Sequence, residues 1–178
     1  NGVCGKNGVC EAKEKITYTK KSAVAFDGSV IDVTDFGADA RDIKNDDTKA
    51  VMEAIASAEN GDTIYFPKGY YLINEDIELN RSLKLLGEGA DKSVILSGNG
   101  IEKTTFNVIA TPLEVTKLGF EQKRTFGKIK NTFFTVRGDR HKNGSWNLYI
   151  HDCNFVQNSS KKYISRVFPF DITACNGI

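Results

Sequence analysis

The side chains able to carry chemistry gather in the last third of the chain. Glycan hydrolysis needs two carboxylates about 5 to 9.5 Å apart across the scissile bond, and Asp152 and Asp171 are the best pair present. Asp152 stands in a turn after the strand ending at Ile150, where its carboxylate can instead bond its own backbone. Elimination from a uronate needs a cation to neutralise the acid and a base to take the C5 proton. Arg137 beside Asp171 would begin such a site.

Residues 123–142 hold Lys123, Arg124, Lys128, Lys130, Arg137, Arg140 and Lys142 against Asp139 alone, a net +6. This stretch reads as a groove for an acidic polysaccharide, gripped by Arg through paired hydrogen bonds, or as a solvated loop face. In the same region Trp146 can stack on a sugar ring or cover the core, and His141 can act as an acid/base or be merely solvated. Trp146, Arg140, His141 and Lys130 are the candidate substrate contacts. Asn80, Asn143 and Asn158 each open an N-x-Ser/Thr sequon, meaningful only in a eukaryotic secretory pathway.

The elements that position these residues come from an ordinary globular composition. The chain has 178 residues, 40% hydrophobic and 26% charged, enough to bury a core. With 24 Lys plus Arg and 23 Asp plus Glu, the net charge of +1 argues against a nucleic-acid binder. No run approaches the roughly 18 to 20 apolar residues that cross a bilayer, so membrane insertion is not expected. The first residues lack a signal-peptide core and an initiating Met, so the expectation is a processed chain or a piece of a longer one.

Four cysteines allow three pairings. Cys4 and Cys10 end two copies of Asn-Gly-Val-Cys and form either a local disulfide loop or two thiols in a lead segment. Cys153 reads as a small buried hydrophobe, and Cys175 stands near the end of the chain. Neither His lies near Cys4 or Cys10, so no zinc or other metal site is read there.

Residues 1–29 are polar and aperiodic, a lead-in or linker. Residues 27–47 carry seven Asp against Arg41 and Lys44, a solvated loop or a calcium loop. Ala50, Val51, Ala54, Ile55 and Ala58 recur at helical spacing. Asp46 or Asp47 is expected at the N-cap and Asn60-Gly61 at the exit. From Thr63 on, short strands are expected over residues 63–66, 70–73, 77–79, 83–86 and 94–96, without hairpin turns between them.

A repeat organises the rest. Phe-x-Val/Ile recurs at Phe106, Phe134 and Phe170, and the block from Val115 to Gln122 matches that from Ile150 to Gln157. A unit of roughly 25 to 35 residues with two or three short strands suits a parallel β-helix coil. Phe106, Phe134 and Phe170 should then lie above one another, as should Phe120 with Phe155. Asn107, Thr135 and Asp171 alternate with that stack and are expected to face solvent. Ending at Ile178 leaves a coil open, so the β-helix domain over 30–178 is expected to continue.

Four segments in order carry a family resemblance: Asp32-Val-Thr-Asp35-Phe-Gly37-Ala38, Asn45-Asp46-Asp47-Thr48, Gly61-Asp-Thr-Ile-Tyr-Phe-Pro67-Lys-Gly69 and Leu86-Gly-Glu88-Gly89. Together they resemble the opening of the pectate-lyase-like right-handed β-helix superfamily, which includes polysaccharide lyases and hydrolases, exo-glucanases and bacteriophage tail-spike proteins. The resemblance implies an all-β fold, a right-handed single-stranded parallel β-helix with an N-terminal capping α-helix. In that family the opening motifs are structural. The chain departs from the pattern where residues 39–44 replace a glycine-rich turn, and no galacturonase-type catalytic motif is present.

For function, the resemblance points to a phage tail-spike or tail-fibre component that binds or degrades host cell-surface polysaccharide. Such a protein would be a homotrimer in the virion, partnered by other tail proteins. The alternatives are a free secreted polysaccharide lyase or glycoside hydrolase, with Ca2+ as the one cofactor a lyase would take, and a structural shaft whose active part lies downstream.

Overall fold

Strands this short cannot bury an apolar face alone and must pair with strands one coil away. In the computed structural model, residues 3–4, 10–11, 25–101, 104–122, 132–137, 148–156 and 170–173 are described, the first two segments and the last by backbone alone. The strands are β1 (Val3–Cys4), β2 (Cys10–Glu11), β3 (Val30–Asp32), β4 (Thr63–Phe66), β5 (Gly69–Ile73), β6 (Ile77–Leu79), β7 (Leu83–Gly87) and β8 (Ser93–Ser97). They continue as β9 (Thr104–Ile109), β10 (Leu113–Thr116), β11 (Gly119–Gln122), β12 (Thr132–Arg137), β13 (Leu148–His151), β14 (Asn154–Val156) and β15 (Phe170–Thr173). A 3-10 turn (Val33–Phe36) and helix α1 (Thr48–Ser57) intervene before β4.

Apart from the two-stranded β1–β2 pair, three sheets result among the described residues, in the orders β13-β10-β7-β4-β3, β14-β11-β8-β5 and β15-β12-β9-β6. Every ladder among these strands is parallel. Successive triplets of strands therefore make successive coils, and the three sheets are the walls of a right-handed parallel β-helix capped by α1.

The aromatic rows are where the repeat places them. Phe134 is opposite both Phe106 and Phe170 in register, and the rings of Phe106 and Phe134 stack at 5.4 Å. Phe120 lies opposite Phe155, with centroids 4.9 Å apart and planes 8° from parallel. Phe106, Phe120, Phe133 and Phe134 are buried, each contributing on the order of 2–3 kcal/mol of apolar transfer. The stacking starts earlier than the phenylalanine pattern indicates, since Ile77 and Leu79 lie beneath Phe106 and Val108.

The corners between the first and second walls have a common form. Lys117 and Asp152 both take positive φ, 57° and 54°. Gly87 occupies the same corner one coil before Lys117, and a Cβ there would meet the Lys117 carbonyl oxygen at 2.2 Å.

The start of the helix falls where expected, and its end does not. Asp47 holds the N-cap position but makes no capping bond, while Asp46 Oδ1 accepts from Thr48 N at 3.0 Å. The helix ends at Ser57, and Gly61, with φ 95°, turns the chain only after Ala58 has become extended. The terminus is closed instead by Arg81, whose Nη1 donates to the carbonyls of Ile55, Ala56 and Ala58 at 3.0, 2.9 and 2.9 Å. A guanidinium there satisfies orphan acceptors and opposes the negative helix end.

Asp47 serves a second purpose. Its buried carboxylate accepts from Asp39 N (2.8 Å), Asn45 Nδ2 (3.1 Å) and Leu72 N (3.0 Å). Thus the loop over residues 39–47, where the family's glycine-rich turn is missing, is fastened to β5.

Candidate functional site on the first wall

Leu83, Leu85, Leu113 and Val115 point into the solenoid. By alternation, Lys84, Glu114 and Tyr149 form one outward row across β7, β10 and β13, and Leu86, Thr116 and His151 form the next. Rows in adjacent coils are about 4.8 Å apart, close enough for long side chains to join.

They do join. Lys84 Nζ lies 2.7 Å from Glu114 Oε1, with side chains 26% and 17% exposed, a pair less screened by solvent than a free surface bridge. His151 Nε2 is 3.5 Å from the same Glu114 oxygen. The other ring nitrogen, Nδ1, is 2.9 Å from Asp152 Oδ2 and 3.2 Å from Thr116 Oγ1. Lower on the wall, the Tyr65 hydroxyl donates to Glu88 at 3.2 Å, and burial followed by that carboxylate raises its pKa. Tyr149, 43% exposed, is an aromatic surface beside the charged row.

The array combines an ammonium, an imidazole and two carboxylates on a rigid surface. That set can hold a polyol by charge-assisted hydrogen bonds and move a proton at the imidazole.

Of the sequence candidates, the two carboxylates Asp152 and Asp171 lie on different walls. Asp152 sits at the corner between the first and second walls, whereas Asp171 lies in β15 of the third wall opposite Thr135. The expected Asp152–Asp171 pair is thus divided between walls, because the turn after β13 leads into β14, a strand of a different sheet. Arg137, exposed at the end of β12, is opposite Thr173, two positions along from Asp171 in the neighbouring strand. Lys130, Arg140, His141 and Trp146 lie outside the described residues.

The outward row of the third wall also differs from expectation. Thr135 is buried with its hydroxyl 3.2 Å from that of Thr132, and Asn107 is half-buried with Oδ1 unpartnered. Flanking strands on both sides cover these short side chains. The sequence signal for the first wall is the series Leu83-Lys-Leu-Leu, Leu113-Glu-Val-Thr and Leu148-Tyr-Ile-His, whose second and fourth positions face outward.

Among the described residues no group of three or more His, Cys, Asp or Glu is arranged to hold a metal ion. Also among them, no helix is long and apolar enough to cross a membrane.

Residues 30–176 match the family described as rhamnogalacturonase A/epimerase, pectate lyase-like. The chain belongs to that family. Over 104 residues this pectate-lyase-like chain is 32% identical to plasmin and fibronectin-binding protein A of Streptococcus pneumoniae, covering 57% of the chain and 14% of that protein. A variant of the PL6 family alginate lyase AlyGC superposes on 97% of the chain and 26% of its own, with a TM-score of 0.53 and 14% identity, a likeness of fold. ORF18 of Geobacillus virus E2 covers 60% of the chain and 24% of its own at 20% identity and a TM-score of 0.41. The pectate-lyase-like chain therefore spans 14% of the curated relative and about a quarter of each solved structure.

Proposed function

We infer that this chain forms coils of a β-helix protein that binds or degrades acidic cell-surface polysaccharide, working as a tail-spike-type homotrimer. The observation that carries the carbohydrate reading is the linked Lys84–Glu114–His151–Asp152 array on one wall of a pectate-lyase-like solenoid. Lys84 supplies the cation that faces a uronate carboxylate, His151 the proton carrier, and Tyr149 a stacking surface. The similarity to an alginate lyase agrees in fold, and the printed name of that protein suggests the substrate panel.

The test is incubation of the full-length protein with uronate-containing and neutral polysaccharides, following viscosity and unsaturated-uronate absorbance. Saturable binding or cleavage of an acidic polymer is expected, with turnover lowered about 100-fold or more in His151→Gln. Failure of every polymer to bind or be cleaved would contradict the reading. Light scattering on the same product separates the trimeric spike from a monomeric secreted lyase or hydrolase.

A second reading rests on the streptococcal relative, whose name records plasmin and fibronectin binding. Fibronectin captured with no polysaccharide bound would favour a protein-binding solenoid instead.

A further inference from the structure

Among the described residues, β3 has a strand partner on one side only, β4, so its other edge of N–H and C=O groups has no ladder. Val30 on that strand is 66% exposed. A cavity of about 530 Å³ opens beside it, with Val30, Ile31 and Phe36 giving apolar lining. Asp32, Asp35, Glu59 and Asp62 give the lining its charge, and no Lys or Arg contributes. Asp62 ties two sides of the lining together, its two carboxylate oxygens accepting from Ser29 N and Glu59 N, both at 2.7 Å.

A strand edge, an apolar strip and an anionic border of one sign define an occupant. The geometry points to an interaction surface at β3 for an extended, lysine- or arginine-bearing polypeptide segment of a partner protein, which adds a strand to the first wall. Backbone pairing with β3 supplies the alignment, alternate side chains cover Val30 and Phe36, and the cations face Asp35 and Glu59. A second copy of this chain is disfavoured, because two such edges would bring like charges together. The surface lies at the opposite end of the wall from His151 and is independent of the carbohydrate reading.

The test is fluorescence anisotropy of a labelled Val-Lys-Val-Lys-Val-Lys peptide titrated with the full chain. Saturable binding is expected, weakened by salt, lost when alternate peptide nitrogens are methylated, and weakened about threefold to tenfold by the double variant Asp35→Asn, Glu59→Gln. Circular dichroism confirms that this surface variant is folded. The proposal is overturned by absence of binding, by equal binding of the methylated peptide, by indifference to the double variant, or by self-association through this edge.

Discussion

Phe120 and Phe155 lie one coil apart with their rings 4.9 Å between centroids and nearly parallel, although the segments joining them include an entire circuit of the solenoid. Phe120 also meets Phe134 edge-on at 5.2 Å and Phe133 at 5.7 Å. Four rings from three strands thus pack together across two successive coils. Phe120→Ala is expected to cost about 3–5 kcal/mol and Phe120→Leu clearly less, read as a shift in the urea midpoint. Equal, small losses from both would show that the rings do not pack as a unit.

Arg81 closes α1 from the far side of β6, so its effect is separable from helix propensity. Arg81→Ala is expected to lower stability by about 1–2 kcal/mol, and Arg81→Lys by less, because an ammonium keeps the charge but not the guanidinium's reach to three carbonyls. Thermal melts of the two variants measure this. A neutral Ala variant would remove the capping role.

Asp47 and Asp46 should respond to pH in opposite directions. Burial raises the Asp47 pKa above its ordinary 3.8, against the hydrogen bonds from Asp39, Leu72 and Asn45. At Asp46 burial also pushes upward, but bonds from Thr48 and Asn74 outweigh it and the pKa falls below 3.8. A group that titrates higher in the fold stabilises when protonated, so the Asp47 contribution is lost as pH rises from 3.8 through its folded pKa. The Asp46 contribution is present above 3.8 and lost as pH falls through its lowered value. Denaturant midpoints from acid to neutral pH should show Asp47→Asn removing the first trend and Asp46→Asn the second. Asp47→Asn should also cost about 1–3 kcal/mol near neutrality, since an amide cannot accept all three bonds. Identical pH profiles for both variants would refute the assignment.

The antiparallel pairing of β1 with β2 puts Cys4 opposite Cys10. Directly opposed residues have Cα atoms about 4.5–5.5 Å apart, inside the disulfide range of about 4.4–6.8 Å. Under oxidising conditions a Cys4–Cys10 bond is expected, closing a short loop. Peptide mapping without reductant checks it, and a Cys4–Cys175 or Cys10–Cys153 peptide would contradict it.

Much of the fold is legible in the sequence because the apolar rows repeat. Phe106, Phe134 and Phe170 mark one wall, Phe120 and Phe155 another, and the strands over residues 63–66, 77–79 and 83–86 follow from short apolar runs between turns. What escapes is fixed at a distance. The stop of α1 depends on Arg81, more than twenty residues on, and the duty of Asp47 depends on Leu72. The first-wall array escapes for a different reason. Leu83-Lys-Leu-Leu carries no phenylalanine marker, so Lys84 is not visibly in line with Glu114. Likewise, Asp152 and Asp171 look like partners until the three-wall circuit shows that a corner separates their sheets.

Calorimetric titration of a uronate oligosaccharide into the full-length protein, with variants on two walls, tests the carbohydrate account most directly. Saturable binding is expected, weakened about tenfold or more by Lys84→Ala and by His151→Gln and unchanged by Arg137→Ala. Binding that survives both first-wall substitutions but is lost with Arg137→Ala would contradict the account and move the site to the third wall.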